Sequence, residues 1–203
     1  MSPLRKRSLV LSVVLTIVLV SSGAGLASAT PFAPFTDHSG EDHSNEDHRG
    51  EYLEGIVLDD TDLTGTTFKD AVLLNAILTD ADLTQADLKG ADLTGADLSR
   101  ALVLDANAKN ANFTNAILDG VVFTNVDVKN ASFVGASLLG ADLTDVRNAD
   151  KADFTGAFYG PATILAAGMD PSAMVFVPEP SSALLLMLGL IGLEGYGRRL
   201  RRS

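Results

Sequence analysis

The sequence predicts an all-β solenoid, a chain wound into about five stacked square coils. Two observations carry this prediction. An apolar residue recurs at every fifth position from Leu53 to Leu143, through nineteen consecutive centres. Two residues after most centres stands Gly, Asn or Asp, as at Gly65, Asp70, Asn75, Gly90 and Gly95. A helix advances about 100° per residue, so positions five apart build no apolar face on it. A plain strand alternates faces, so an odd period would flip each centre. A short extended piece closed by a tight turn satisfies both observations. Gly, Asn and Asp accept the left-handed backbone such turns need. Four turns per circuit close a square.

The centres then sort into four columns. Leu53, Leu73, Leu93, Phe113 and Phe133 share one face. Leu58, Leu78, Leu98, Leu118 and Leu138 share the next. Leu63, Leu83, Val103, Phe123 and Leu143 make the third. Phe68, Leu88, Ala108 and Val128 make the fourth. Two residues before each centre the chain carries Ala, unbroken from Ala71 to Ala116. That position lies on the same side of an extended piece as the centre, so both are expected inside. The units Ala81-Asp82-Leu83-Thr84-Gln85, Ala86-Asp87-Leu88-Lys89-Gly90 and Ala91-Asp92-Leu93-Thr94-Gly95 resemble the pentapeptide repeat family. The resemblance implies a right-handed quadrilateral β-helix.

Taken in chain order, five segments are expected. Residues 1–29 read as a secretory signal peptide. Arg5, Lys6 and Arg7 precede an apolar run from Leu9 to Val20, and Ala27-Ser28-Ala29 offers small residues for cleavage after Ala29. Residues 30–50 read as a disordered acidic, His-bearing linker. Residues 51–160 hold the repeats. After Leu143 the register slips by one residue, to Phe154 and Tyr159, which predicts a bulge or small loop over 146–151. Residues 161–176 drop the period and read as a C-terminal cap or linker, as solenoid ends require. The N-terminal end offers no obvious cap.

The last segment, 177–203, carries its own signature. Val177, Pro178, Glu179 and Pro180 precede an apolar run from Ala183 to Leu193, and Arg198, Arg199, Arg201 and Arg202 follow. This resembles the PEP-CTERM sorting signal. The resemblance implies an intermediate held in the inner membrane, processing by an exosortase, and a frequent association with exopolysaccharide production. A basic tail suits a stop-transfer anchor on the cytoplasmic side. Both termini are therefore expected as helical apolar segments.

Charge bounds the partners. The whole chain carries −11, and residues 51–160 hold 18 acidic against 7 basic residues. Much of this comes from Asp just before a centre, as in Asp82, Asp87, Asp92 and Asp97. Such a surface opposes nucleic acid and anionic lipid, and it protects coil edges from aggregation. There is no Cys.

The search for chemistry yields little. The chain has three His residues, in Asp37-His38, Asp42-His43 and Asp47-His48. Their spacing allows weak transition-metal binding through imidazole and carboxylate, but no closed ligand set is visible, and a polar, disordered spacer is the favoured reading. No nucleophile has a base nearby in sequence. The expectation is no catalytic residue, no cofactor and no committed metal site.

The leading functional expectation is a non-enzymatic, exported cell-surface or matrix scaffold. It would pass the general secretion machinery and the inner membrane, meet an exosortase, and associate with exopolysaccharide. The family resemblance supplies an alternative, an acidic rod that mimics duplex DNA and binds a nucleic-acid enzyme such as gyrase. Those proteins act in the cytoplasm, which the signal peptide opposes. A weak metal-binding surface protein is the other alternative.

Overall fold

The structure is a computed structural model describing residues 33–179. The signal peptide, the apolar run and the basic tail lie outside the described residues. So do the helical segments expected there.

Leu53, Leu73 and Leu93 are each 0% exposed, and so are Ala91 and Ala96 beside them. Centre and preceding Ala therefore share the interior, and the buried apolar residues from Leu53 to Ala166 form one continuous cluster. The residue between them faces outward and forms the ladder. Val57 pairs with Ile77, Ile77 with Asp97, and Asp97 with Ile117, all parallel. Partners in this ladder are twenty residues apart, four five-residue units per coil. Each rung is a pair of backbone bonds: Leu73 N–H donates to Asp92 O at 2.7 Å, and Asp92 N–H donates to Ala71 O at 2.9 Å. Most rungs are isolated, because the chain turns again at once. Two continuous strands, β1 (Leu102–Leu104) and β2 (Val122–Thr124), lie in neighbouring coils and pair in parallel.

The corners follow from one dihedral. The second residue after each centre has positive φ, from Asp60 at 53° to Gly90 at 71°. The residue after that returns a hydrogen bond to the centre, as Ala71 N–H does to Phe68 O at 3.0 Å. The corner position holds even where the residue resists it: Gln85 has φ 59° and Arg100 has φ 60°. Glycine has a second reason at Gly95, where an added Cβ would sit 2.6 Å from Oδ1 of Asn75 in the coil below.

The solenoid begins earlier than Leu53. Residues 33–50, expected within a disordered linker, form an ordered coil. Asp37 pairs with Val57, Asp42 with Asp62, and Asp47 with Thr67. Phe35, Gly40, Asn45 and Gly50 take the left-handed corners, with φ from 59° to 70°. The turn chemistry and the ladder bonds extend the period downward although no apolar centre marks it.

At the upper end, the slip falls within 146–151. The ladder spacing lengthens by one residue at Ser132–Asp153 and Ser137–Phe158. The extra residue is absorbed by a 3₁₀ turn, Ala149–Lys151, entered through Asn148 at φ 59°. Beyond it, β3 (Phe158–Tyr159) pairs in parallel with β4 (Val175–Phe176). A second 3₁₀ turn, Pro171–Ala173, is capped by the Asp170 side chain, which accepts from Ser172 N–H. Phe113, Phe133 and Phe154 stack one above another, with centroids 4.9 and 4.7 Å apart, and carry the aromatic core to this end.

Candidate functional site

The first coil keeps the backbone of the others but replaces their core. His38, His43 and His48 occupy the centre positions, in register with Leu53. Glu41, Glu46 and Glu51 occupy the positions that hold Ala above. The rings point inward: His43 is 7% exposed and His48 1%. His48 stacks on Phe68, with centroids 5.5 Å apart and planes 20° apart. Thr61 and Thr66, the next coil's residues at the inner Ala position, donate their hydroxyls to His38 O (3.0 Å) and His43 O (2.8 Å).

Imidazoles and carboxylates alternate along this coil. His38 Nδ1 lies 2.9 Å from Glu41 Oε2, and His43 Nε2 lies 2.8 Å from the same oxygen. His43 Nδ1 then faces Glu46 Oε2 at 3.1 Å, as does His48 Nε2. His48 Nδ1 faces Glu51 Oε2 at 2.9 Å. The hydrogen bonds from His38 and His43 hold the Glu41 carboxyl below the ordinary glutamate range. Within this chain, His38, Glu41 and His43 bring one ligand atom each to within 4.8 Å of one another.

The Asp residues of the three Asp-His pairs do something else. Asp37, Asp42 and Asp47 face outward, and each accepts from a backbone N–H two residues on, at Ser39 (3.1 Å), Ser44 (3.0 Å) and Arg49 (3.2 Å). The Asp-His pairing read from sequence is thus replaced by a Glu-His pairing. Sequence reasoning missed Glu41, Glu46 and Glu51. The signal was present, because continuing the five-residue register below Leu53 places every His at a centre and every Glu at the inner Ala position.

At the other end, the sorting residues adjoin the last coil. Val177 N–H donates to Tyr159 O at 2.7 Å. Val177, Pro178 and Glu179 line a shallow groove with Leu139, Gly160 and Pro161. Pro180, Ala27, Ala29, Arg198, Arg199, Arg201 and Arg202 lie outside the described residues.

Models of known families decide the classification. The pentapeptide repeat model, in eight copies, matches residues 56–95, 86–125 and 122–158. The chain belongs to the pentapeptide repeat family. A second model, the PEP-CTERM protein-sorting motif, matches residues 176–202, the signature of an exported protein sorted by an exosortase. Solved structures of similar chains include a pentapeptide repeat protein from the Arabidopsis thaliana thylakoid lumen. It is 42% identical over 53% of this chain and 68% of that one, with a TM-score of 0.39. HetL from Nostoc, a pentapeptide repeat protein involved in heterocyst differentiation regulation, is 23% identical over 67% and 64%, with a TM-score of 0.30. QnrB1, a plasmid-mediated fluoroquinolone resistance protein, is 20% identical over 79% and 97%, with a TM-score of 0.28. A comparison with curated proteins found no match.

In this pentapeptide repeat solenoid the acidic ladder is part of the fold. Asp82, Asp87, Asp92 and Asp97 accept from the backbone N–H of Thr84, Lys89, Thr94 and Ser99 at 2.9–3.1 Å. Each carboxylate fixes the turn that follows it. Some also bridge coils, as where Asn107 Nδ2 donates to Asp87 Oδ1 at 2.9 Å. The regular spacing of negative charge is therefore explained by turn geometry before any partner is invoked.

Proposed function

We propose that this pentapeptide repeat protein is a non-enzymatic, exported scaffold of the cell surface or extracellular matrix, cut from the inner membrane by an exosortase. The observation that carries the reading is the sorting motif at 176–202 joined directly to a uniform solenoid. Among the described residues, Val177 makes the last backbone bond to the body, at Tyr159. Cleavage just after it would leave the coil stack whole. The expected mature chain runs from Thr30 to the Pro178–Ser181 region, as a soluble acidic rod. Association with exopolysaccharide belongs to the same proposal, because the rod presents a long rigid surface outside the cell.

The test is the intact mass of the exported protein. Loss of both the signal peptide and Arg198–Arg202 is expected. Replacing Pro178, Glu179 and Pro180 with Ala keeps the apolar run and the Arg tail, so that variant should stay in the inner membrane. An extracellular form that retains Arg198–Arg202, or normal processing of the Ala variant, would overturn the proposal.

A further inference from the structure

We propose that the first coil is a binding site for a divalent transition-metal ion of the zinc type, held by His38 Nδ1, Glu41 Oε2 and His43 Nε2. The inference is independent of the sorting reading. It begins with convergence: two ring nitrogens from successive centres meet one carboxylate oxygen, at 2.9 and 2.8 Å. Ligand atoms bound at about 2.0–2.1 Å in a tetrahedron stand about 3.3 Å apart. The three atoms already lie within 4.8 Å of one another. Rotation of the side chains by a few tenths of an ångström would open the N···O contacts to that spacing.

A carboxylate only accepts, and a neutral imidazole carries one N–H for two nitrogens. His43 faces Glu41 through one nitrogen and Glu46 through the other. His48 likewise faces Glu46 and Glu51. His38 faces Glu41 and, through Nε2, the Thr36 hydroxyl at 3.0 Å, and that hydroxyl already donates to Ala33 O. Three rings thus present six nitrogens to six acceptor contacts, twice what neutral rings can supply, so the balance falls to added protons or to a metal ion. A cation between His38, Glu41 and His43 replaces two N–H donors at the point where they converge. The remaining His43 Nδ1–Glu46 contact then becomes the carboxylate–histidine pairing that orients a metal-bound ring.

The chemistry selects the ion. Two imidazoles and one carboxylate suit zinc, copper or nickel, whereas calcium and magnesium take oxygen ligands. The site is also built. His43 is nearly buried and held on both nitrogens, and the next coil clamps the backbone at His38 and His43 through Thr61 and Thr66. Glu41 remains exposed, with its side chain 52% accessible, which leaves an entry path and room for a water ligand.

The experiment titrates zinc chloride into chelator-stripped full chain in detergent micelles, by calorimetry, with calcium chloride as a parallel probe. One saturable zinc event at low-micromolar affinity or tighter is expected, with none for calcium. Zinc should slow amide exchange over 38–48 at least tenfold and leave 81–98 unchanged. Glu41→Gln should weaken binding at least tenfold, and His43→Gln should abolish it. Asp42→Asn, at an outward residue that only caps a turn, should stay within twofold. If His43→Gln fails to fold, Glu41→Gln decides, because that exposed side chain is not needed for packing. No saturable zinc binding up to about 100 µM overturns the proposal. Wild-type affinity in Glu41→Gln does so too, as does an equal loss in Asp42→Asn, which would return the ligands to the Asp-His pairs.

Discussion

Leu93→Asp is the most direct test of the inward columns. Leu93 is 0% exposed, in the column of Leu53, Leu73, Phe113 and Phe133. Removing a fully buried Leu side chain forfeits about 1.5–3 kcal/mol of burial. The new carboxyl finds apolar neighbours, so it must neutralise, and even then an unpaired polar group costs about 2–7 kcal/mol. The sum is several kcal/mol, a large part of the roughly 5–15 kcal/mol that holds a typical domain together. In a solenoid each coil contacts only its neighbours, so the damage also uncouples the coils on either side. Guanidinium denaturation followed by far-UV circular dichroism should show a lower midpoint and a broadened or split transition. Asp92→Asn is the control. The Asp92 carboxylate accepts from Thr94 N–H at 3.1 Å, and an amide oxygen does the same. That variant should stay within about 0.5 kcal/mol. A Leu93→Asp protein with unchanged spectrum and midpoint would refute the inward assignment.

Three further expectations are more local. Amide exchange over 146–151 should be faster than over 81–98, because the inserted residue breaks the ladder there; equal protection would contradict this. Thr66→Val should cost about 1 kcal/mol, since the buried hydroxyl that donates to His43 O is lost while Glu46 N–H still reaches that carbonyl at 3.4 Å; an unchanged midpoint would count against that bond. Gln85→Gly should raise stability by about 0.5–1 kcal/mol, because relief of a left-handed non-glycine residue exceeds the entropy that glycine adds to the unfolded chain; a lower midpoint would show that the corner is not strained.

The body of the fold was legible because one signal repeats. Leu at the centre, Ala two before it and a turn former two after it all recur, and each repeat constrains the next. The slip was legible for the same reason, since Phe154 and Tyr159 break a register that nineteen centres had set. The first coil was hidden because its centres are His. A reading that equates core with apolar side chains stops at Leu53, although Gly40, Asn45 and Gly50 continue the corners. The polar core is possible because each His meets a carboxylate within its own coil, and the His38 and His43 carbonyls meet Thr61 and Thr66 of the next. The Thr contacts come from the stacking of coils, between residues 23 apart, which local spacing does not reveal. The role of the ladder Asp residues was half legible. Their outward direction followed from alternation, but their bond to the next turn needed coordinates.

Asp127 gives the fold a local acid limit. Among the described residues it is one of the few buried charged side chains, and it lies directly beneath the slip, paired with Arg147. Burial alone would raise its carboxyl. Hydrogen bonds from Lys129 N–H (3.2 Å) and Asn148 Nδ2 (2.9 Å), with the Lys109 ammonium at 3.2 Å, outweigh that and hold it below the ordinary 3.8. A carboxylate lowered in the folded state adds stability that is complete above its unfolded value and disappears as pH falls through its folded one. Loss should therefore begin below about pH 3.8 and fall first on 146–151, where Asn148 is the residue tied to it. Asp153, lowered by Thr155, lies one coil above and titrates in the same direction. Amide spectra recorded stepwise into acid should show 146–151 losing structure before 81–98. Asp127→Asn keeps an acceptor for Lys129 N–H but has no charge to lose, so its acid response should shrink to the part Asp153 supplies. If 146–151 and 81–98 lose structure together, or if Asp127→Asn responds to acid as the wild type does, the slip is not held by this carboxylate.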